Sequence, residues 1–304
     1  MYVDWCVKHN VEMEFHYITG LQPGWLRRKS SAEQEELLIR HAKDLVDRYG
    51  DRIKRWQVVN DSYLLRQSPA VFEFIHKSHP DLKLGISHCT KFYSYGGSRS
   101  LDQLRGMDDL ETLQSQGVKV DYYGIHGHTP HGLWADVNTM YETFDTLAKL
   151  GVRLEVTEFL LPLNQISGPV RRGMWTPELQ AEFFEIYYTV CFSHPSVDAI
   201  NYWVLGQGME YGTGLLDPEN NYAPRPTFNI LKELITKRWR TNLSGRSNDG
   251  ILAFRGFHGD YEVEVTLADG KKVKANFSIK PESENPYRLK LNANGTLEAV
   301  AGGI

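Results

Sequence analysis

Long apolar runs are missing from this 304-residue chain, so no segment offers the roughly 20 uncharged residues that a helical bilayer crossing requires. The first ten residues mix charged and polar side chains and carry no cleavable signal pattern. Cysteine is scarce. Cys6, Cys89 and Cys191 are odd in number, scattered and without CxxC spacing, which argues against a disulfide framework and a zinc site and leaves free thiols as the expectation. The net charge is −4 and no basic stripe stands out, so nucleic acid, whose binding needs phosphate neutralisation, is not an expected partner, nor is a membrane. Internal repeats and low-complexity tracts are absent too. Aromatic residues, by contrast, are plentiful at 12%, with 7 Trp and 16 Tyr. Their faces stack on sugar rings but also fill ordinary cores, so the excess is only a hint.

Up to about residue 237, short apolar runs alternate with longer helical patterns. The runs at 11–17, 55–60, 82–88, 122–126, 153–157 and 199–204 predict strands. The stretches between and after them, 30–50, 69–78, 101–117, 137–151, 177–193 and 225–237, predict helices. Ser30 with an acidic first turn marks one start, Gly50 its end, and Thr176-Pro177 another start. Strands alternating with helices imply a parallel sheet with right-handed crossovers. Six such units fit most of an eight-fold TIM-type (β/α) barrel, two strands short. After Trp239 the pattern changes to period-two alternation at 250–265, 271–279 and 287–291, with Asp269-Gly270 as a hairpin turn. The expected organisation is therefore an incomplete catalytic barrel over 1–239 and a small antiparallel β domain over 240–304.

In a parallel barrel, functional groups gather at the carboxyl ends of the strands. That rule selects Asp61 after the run 55–60, Glu158 after 153–157, His126, His128 and His131 around the end of 122–126, and Trp203 on the last run. Two carboxylates on one rim are what glycoside hydrolysis uses: one protonates the leaving oxygen and the other attacks the anomeric carbon. Taken singly, each acid reads more readily as a strand-end carboxylate paired with a cation; taken together, with Asn60 directly before Asp61, the balance reverses. A metal site built from His126, His128 and His131 lacks an acidic partner before Asp136, so neither metal nor cofactor is expected.

Several segments, in order, carry a family likeness. Trp56-Gln57-Val58-Val59-Asn60-Asp61 is similar to W-D-V-V-N-E, and Val156-Thr157-Glu158-Phe159 to I-T-E-L. Phe15-His16 with Gln22-Pro23-Gly24-Trp25 is similar to G-H-x-L-x-W-H-x-Q-x-P-x-W, and Gly124-Ile125-His126-Gly127-His128 to G-I-G-x-Q-x-H. Asn221-Tyr222 with Pro224-Arg225-Pro226 is close to D-x-N-Y-x-P-K-P. Across about residues 5–235 the chain thus resembles glycoside hydrolase family 10, the endo-β-1,4-xylanases. The resemblance implies a retaining double displacement with Glu158 as nucleophile and Asp61 as acid/base. It implies that Asn60 binds the sugar 2-hydroxyl, that His128 orients the nucleophile, and that His16, His126, Trp25 and Trp203 line the subsites. Xylan or xylo-oligosaccharides are the implied partners, and secretion is the implied location.

Three departures qualify the likeness. Asp61 is one methylene shorter than the family's Glu, a retreat of about 1.5 Å unless the backbone compensates. Ser87-His88-Cys89-Thr90 replaces the usual N-D-Y-N. The sequence also starts within what would be the second barrel helix, so a truncated or cleaved barrel is the expectation, with completion by a homo-oligomer partner, an N-terminal segment or the C-terminal domain as the alternative. The segment 254–263 resembles an R-G-F-x-G-x-Y-E-V stretch that follows the barrel in some family members. It reads either as a sugar-binding accessory piece or as a structural appendage. The expected function is an endo-acting β-1,4-xylan hydrolase of reduced activity, with a non-catalytic xylan- or β-glycan-binding protein as the alternative.

Overall fold

The computed structural model describes residues 2–61, 65–89, 101–127, 133–161, 163–166, 170–206, 212–247, 250–280, 283, 288–292 and 295–300. They divide into two compact units, Met1–Ile230 and Leu231–Ile304.

The first unit begins with helix α1 (Tyr2–Lys8) and strand β1 (Glu14–Thr19). A short α2 (Gly24–Arg27) and α3 (Ser31–Tyr49) lead to β2 (Arg55–Asn60), followed by α4 (Ser68–Ser78) and β3 (Lys83–His88). Then come α5 (Leu101–Ser115), β4 (Tyr122–Ile125), α6 (Val137–Ala148) and β5 (Arg153–Phe159). A two-residue hairpin, β6 (Gln165–Ile166) with β7 (Gly173–Met174), precedes α7 (Pro177–Ser193) and β8 (Val197–Tyr202). A second small hairpin, β9 (Leu216–Asp217) with β10 (Ala223–Pro224), leads into α8 (Pro226–Glu233).

Strands β1, β2, β3, β4, β5 and β8 form one sheet in that order, every pair parallel. The sheet curls into a half-barrel of six strands. Asn201 on β8 and Glu14 on β1, at opposite edges, meet across the concave face with Nδ2 donating to Oε2 at 3.3 Å. The expected six-strand TIM-type architecture is therefore what the chain adopts. Strand ends differ by a few residues: β1 starts at Glu14 rather than residue 11, and β8 starts at Val197 rather than 199.

On the convex face the strands present Trp56, Val58, Leu84, Ile86, Tyr123, Ile125, Leu154 and Val156, all buried. The helices return Leu38, Ala42 and Val46 from α3, Phe72 and Ile75 from α4, Phe144 from α6, and Phe183 and Phe184 from α7. Burying these side chains is what drives the helices onto the sheet, at roughly 1.5–3 kcal/mol for each large one. Cys191 is fully buried on α7, where burial pushes its thiol well above the ordinary range; Cys6 and Cys89 are also free thiols.

Local chemistry sets the helix ends. Ser30 and Glu33 form a reciprocal capping box at the start of α3, and Gly50 follows its last turn. Asp136 caps α6 through the N–H groups of Asn138 and Thr139, and Thr176 caps α7 ahead of Pro177. Within the sheet, Gly124 on β4 matters for what it lacks. A Cβ there would come within 2.7 Å of Ser87 Oγ and 2.9 Å of Thr157 Cγ2. Without it, Ser87 on β3 and Thr157 on β5 hydrogen-bond over β4 at 2.7 Å.

The second unit contains two antiparallel hairpins, β11 (Gly259–Thr266) with β12 (Lys272–Ile279), and β13 (Arg288–Leu291) with β14 (Leu297–Val300). Gly270, at φ +82°, makes the expected turn. Tyr261 faces Phe277 across the first hairpin, rings stacked 5.0 Å apart. The strand expected from residue 250 begins only at Gly259, and Phe254 and Phe257 lie on the non-strand approach to it. Strand β14 was not anticipated, since 297–300 alternates too briefly to register.

The capping box yields a direct test: Ser30→Ala should lower stability by about 1 kcal/mol, read as a shift of the urea midpoint with an unchanged slope.

Candidate active site

The polar side chains of the concave face form two tiers. The lower tier is at the start of the strands. Arg55 on β2 pairs with the fully buried Glu155 on β5, and its guanidinium also sits over the Tyr122 ring, 5.3 Å from the centroid. Glu14 on β1 accepts from Tyr122 Oη at 2.7 Å and from Asn201. Burial raises the Glu14 carboxyl above its ordinary value, outweighing the opposing pull of the Tyr122 hydrogen bond and of Arg55. Burial likewise pushes the Tyr122 phenol well up, with Glu14 adding to it.

The upper tier lies at the carboxyl ends, around Glu158. Glu158, on β5, is 8% exposed. Its Oε1 lies 3.4 Å from His16 Nε2 on β1 and 3.7 Å from His126 Nε2, just after β4. That same His126 nitrogen is 3.1 Å from Asn60 Oδ1 at the end of β2. Gln57, fully buried on β2, joins the other side: its Oε1 is 2.9 Å from His16 Nδ1, and its Nε2 donates to Asn60 Oδ1 at 2.7 Å. Four strands thus contribute to one closed set of contacts around Glu158.

Asp61 follows Asn60 on the same rim. Its backbone is left-handed, at φ +53°, a conformation that Asp tolerates better than most side chains. Its N–H donates to Ser87 O at 2.8 Å, and its Oδ1 accepts from Cys89 N at 3.3 Å. Asp61, one methylene shorter than Glu, thus stands on a left-handed backbone with a tether to the segment after β3. His88, in the replaced N-D-Y-N segment, is buried, with Nε2 3.4 Å from Asp109 Oδ2 and its carbonyl accepting from His126 N.

Of the other expected site residues, Trp203 is half-buried just past β8, with its N–H bonded to Phe159 O beside Glu158. Trp25 stands on α2, 53% exposed, and makes no hydrogen bond or ring contact with this group among the described residues. His128 and His131 lie outside the described residues. Sequence reasoning passed over Gln57. Two signals could have found it: an amide on the polar face of a buried strand, and its place at the Asp position of W-D-V-V-N-E. Glu14, Tyr122, Arg55 and Glu155 were also missed, because strand-start residues are not where the barrel rule looks.

Residues 1–233 match the family described as Glycosyl hydrolase family 10. This chain belongs to glycosyl hydrolase family 10. Among curated relatives, it is 25% identical to the anti-sigma-I factor RsgI6 of Acetivibrio thermocellus, over 98% of this chain and 37% of the relative. It is also 25% identical to Endo-1,4-beta-xylanase B of Thermotoga neapolitana, over 78% of this chain and 73% of the relative. The chain spans 37% of the length of RsgI6 and 26% of that of Endo-1,4-beta-xylanase 2 of Arabidopsis thaliana. In fold it matches xylanase 10B of Thermotoga petrophila RKU-1, solved in complex with xylobiose, with a TM-score of 0.61 at 20% identity, over 78% of this chain and 77% of that chain.

The lower tier gives a pH test with a definite sign. Because Glu14 holds its proton more tightly folded than unfolded, ionising it costs stability as pH rises from the ordinary carboxyl value through the raised one. Glu14→Gln should therefore be more stable than wild type at pH 8 and lose that advantage at pH 4, measured by urea midpoints at both.

Proposed function

We propose that this family 10 chain cleaves the backbone of β-1,4-xylan by a retaining double displacement. The observation that supports the reading most is the setting of Glu158: a nearly buried carboxylate at a strand end, held by His16 and His126, with Asn60 on the same imidazole nitrogen and Asp61 next in sequence. In this reading a Glu158 oxygen attacks the anomeric carbon while Asp61 protonates the departing glycosidic oxygen. The sugar is then bonded to Glu158. Asp61, now a carboxylate, takes a proton from water, which attacks the same carbon and frees Glu158. Asn60 donates to the 2-hydroxyl, a contact that strengthens as charge develops on the sugar ring. Trp203 lines the sugar site, Trp25 serves a more distant one, and His128 supports the nucleophile. Both imidazoles on Oε1 keep that oxygen aimed, which is the part of the barrier that positioning removes. A polysaccharide does not cross a membrane, so the proposed work is extracellular.

The tethered, left-handed Asp61 favours low turnover, because displacements near 1 Å cost on the order of a hundredfold in rate. The experiment is long incubation with xylan and analysis of released xylo-oligosaccharides. Release by wild type, with Glu158→Gln below about a ten-thousandth of its rate, is the expected result. Xylohexaose binding by calorimetry with no product at any pH would replace hydrolysis with the binding-only alternative. Asp61→Glu should raise kcat on the order of tenfold by restoring reach. The same variant should lose about 1 kcal/mol of stability, since Glu tolerates a left-handed backbone less well than Asp.

A further inference from the structure

We infer that Tyr222, at the tip of the β9–β10 hairpin, is a distal sugar platform that stacks on a xylan residue beyond those at Glu158. The inference rests on the xylan reading above and adds one contact for the same ligand.

The starting observation is a side chain on a backbone that does not suit it. The chain between β9 and β10 reverses through Asn221 at φ +52° and Tyr222 at φ +58°, two left-handed residues in a row. Asn tolerates that region because its short polar side chain bonds locally, and glycine enters it freely. A bulky ring has neither advantage, so Tyr at the second position costs stability. Packing does not offset that cost. Tyr222 is 60% exposed, and among the described residues its side chain makes no hydrogen bond, ion pair or ring contact. Its N–H donates to Asp217 O at 2.7 Å, a bond that glycine would make equally well. Folding alone favours glycine or asparagine here, and the chain instead displays an aromatic ring.

Backbone bonds tie that ring to the strand end beside Glu158. Trp203 N donates to Phe159 O at 2.8 Å. The next two carbonyls, of Val204 and Leu205, accept from Leu215 N at 3.2 Å and Leu216 N at 2.8 Å, which lays β9 along the segment leaving β8. Asp217 Oδ1 lies 3.0 Å from Arg225 Nη2, and Arg225 N donates to Leu215 O at 3.0 Å, so the hairpin is closed at its base. The Tyr222 ring stands beside Gly206, where an added Cβ would lie 4.0 Å from Cε1. Leu205, just before that glycine, is 59% exposed. Trp203, Leu205 and Tyr222 thus pass from half-buried beside the nucleophile to open at the hairpin tip.

A polysaccharide cut internally continues past the two sugars at the acids and lies along what the rim presents. A pyranose has an apolar C–H face, and an aromatic ring offers the electron-rich surface that meets it. A ring carried on a closed hairpin also loses little freedom when it binds.

Calorimetry with xylohexaose and xylobiose, alongside urea unfolding of the full chain, tests the platform. Tyr222→Gly should weaken xylohexaose binding about tenfold and yet raise the urea midpoint, because ring and strain leave together. Tyr222→Phe keeps the ring and should bind within about twofold of wild type. For xylobiose, which spans only two sugars, Tyr222→Gly should also stay within about twofold. Equal losses for both ligands would overturn the distal placement. A lowered urea midpoint in Tyr222→Gly would show that the ring supports the hairpin and would overturn the proposal. Unchanged xylohexaose affinity in that variant would overturn the platform and leave the xylan reading standing, whereas no binding by wild type would overturn both.

Discussion

Polar side chains shut inside a curled sheet must satisfy one another, and that constraint shapes the whole concave face. Gln57 is fully buried, Glu155 is fully buried, and Glu158 nearly so. A buried polar group without a partner costs on the order of 1–3 kcal/mol, and a buried charge more. The chain groups these side chains in tiers, an ionic one around Arg55 and Glu155 and an amide-imidazole one around Gln57. The tiers use different groups: a guanidinium lies against the carboxylate of Glu155, and the imidazoles of His16 and His126 lie against that of Glu158.

The convex face answers to a different force. Its residues are apolar and roughly interchangeable by volume, so helices settle there by burial alone. The concave face has directional bonds and tolerates little substitution without reversing or stranding a partner. Gly124 shows how the two sides meet: its missing side chain lets Ser87 and Thr157 bond across a strand, locking the register just below Glu158. Membership of family 10 is therefore visible as a scaffold that aligns strand ends, and the particular residues on those ends are where this chain goes its own way.

Much of this was legible beforehand. The alternation of apolar runs and helical stretches predicted six parallel strands, and the family likeness carried by the strand-end motifs agrees with the match over residues 1–233. Capping residues such as Ser30 and Thr176 marked helix starts because their chemistry is local. Glu158 and Asp61 were selected by a rule about strand ends that needs no coordinates. Gln57 was not, because an amide between Trp56 and Val58 reads as an incidental polar residue until β1 is laid beside β2.

The sequence by itself determined the periodicity, the helix boundaries, the family and the two acids on the rim, since each depends on neighbours a few positions away along the chain. Only the tertiary structure decided that Glu14 reaches Asn201, that His126 stands between Asn60 and Glu158, that Asp61 is left-handed, and that Trp25 faces outward on its helix. Those facts depend on strand register and on how tightly the sheet curls, which are set by the summed packing of all its elements and not by any local run of residues.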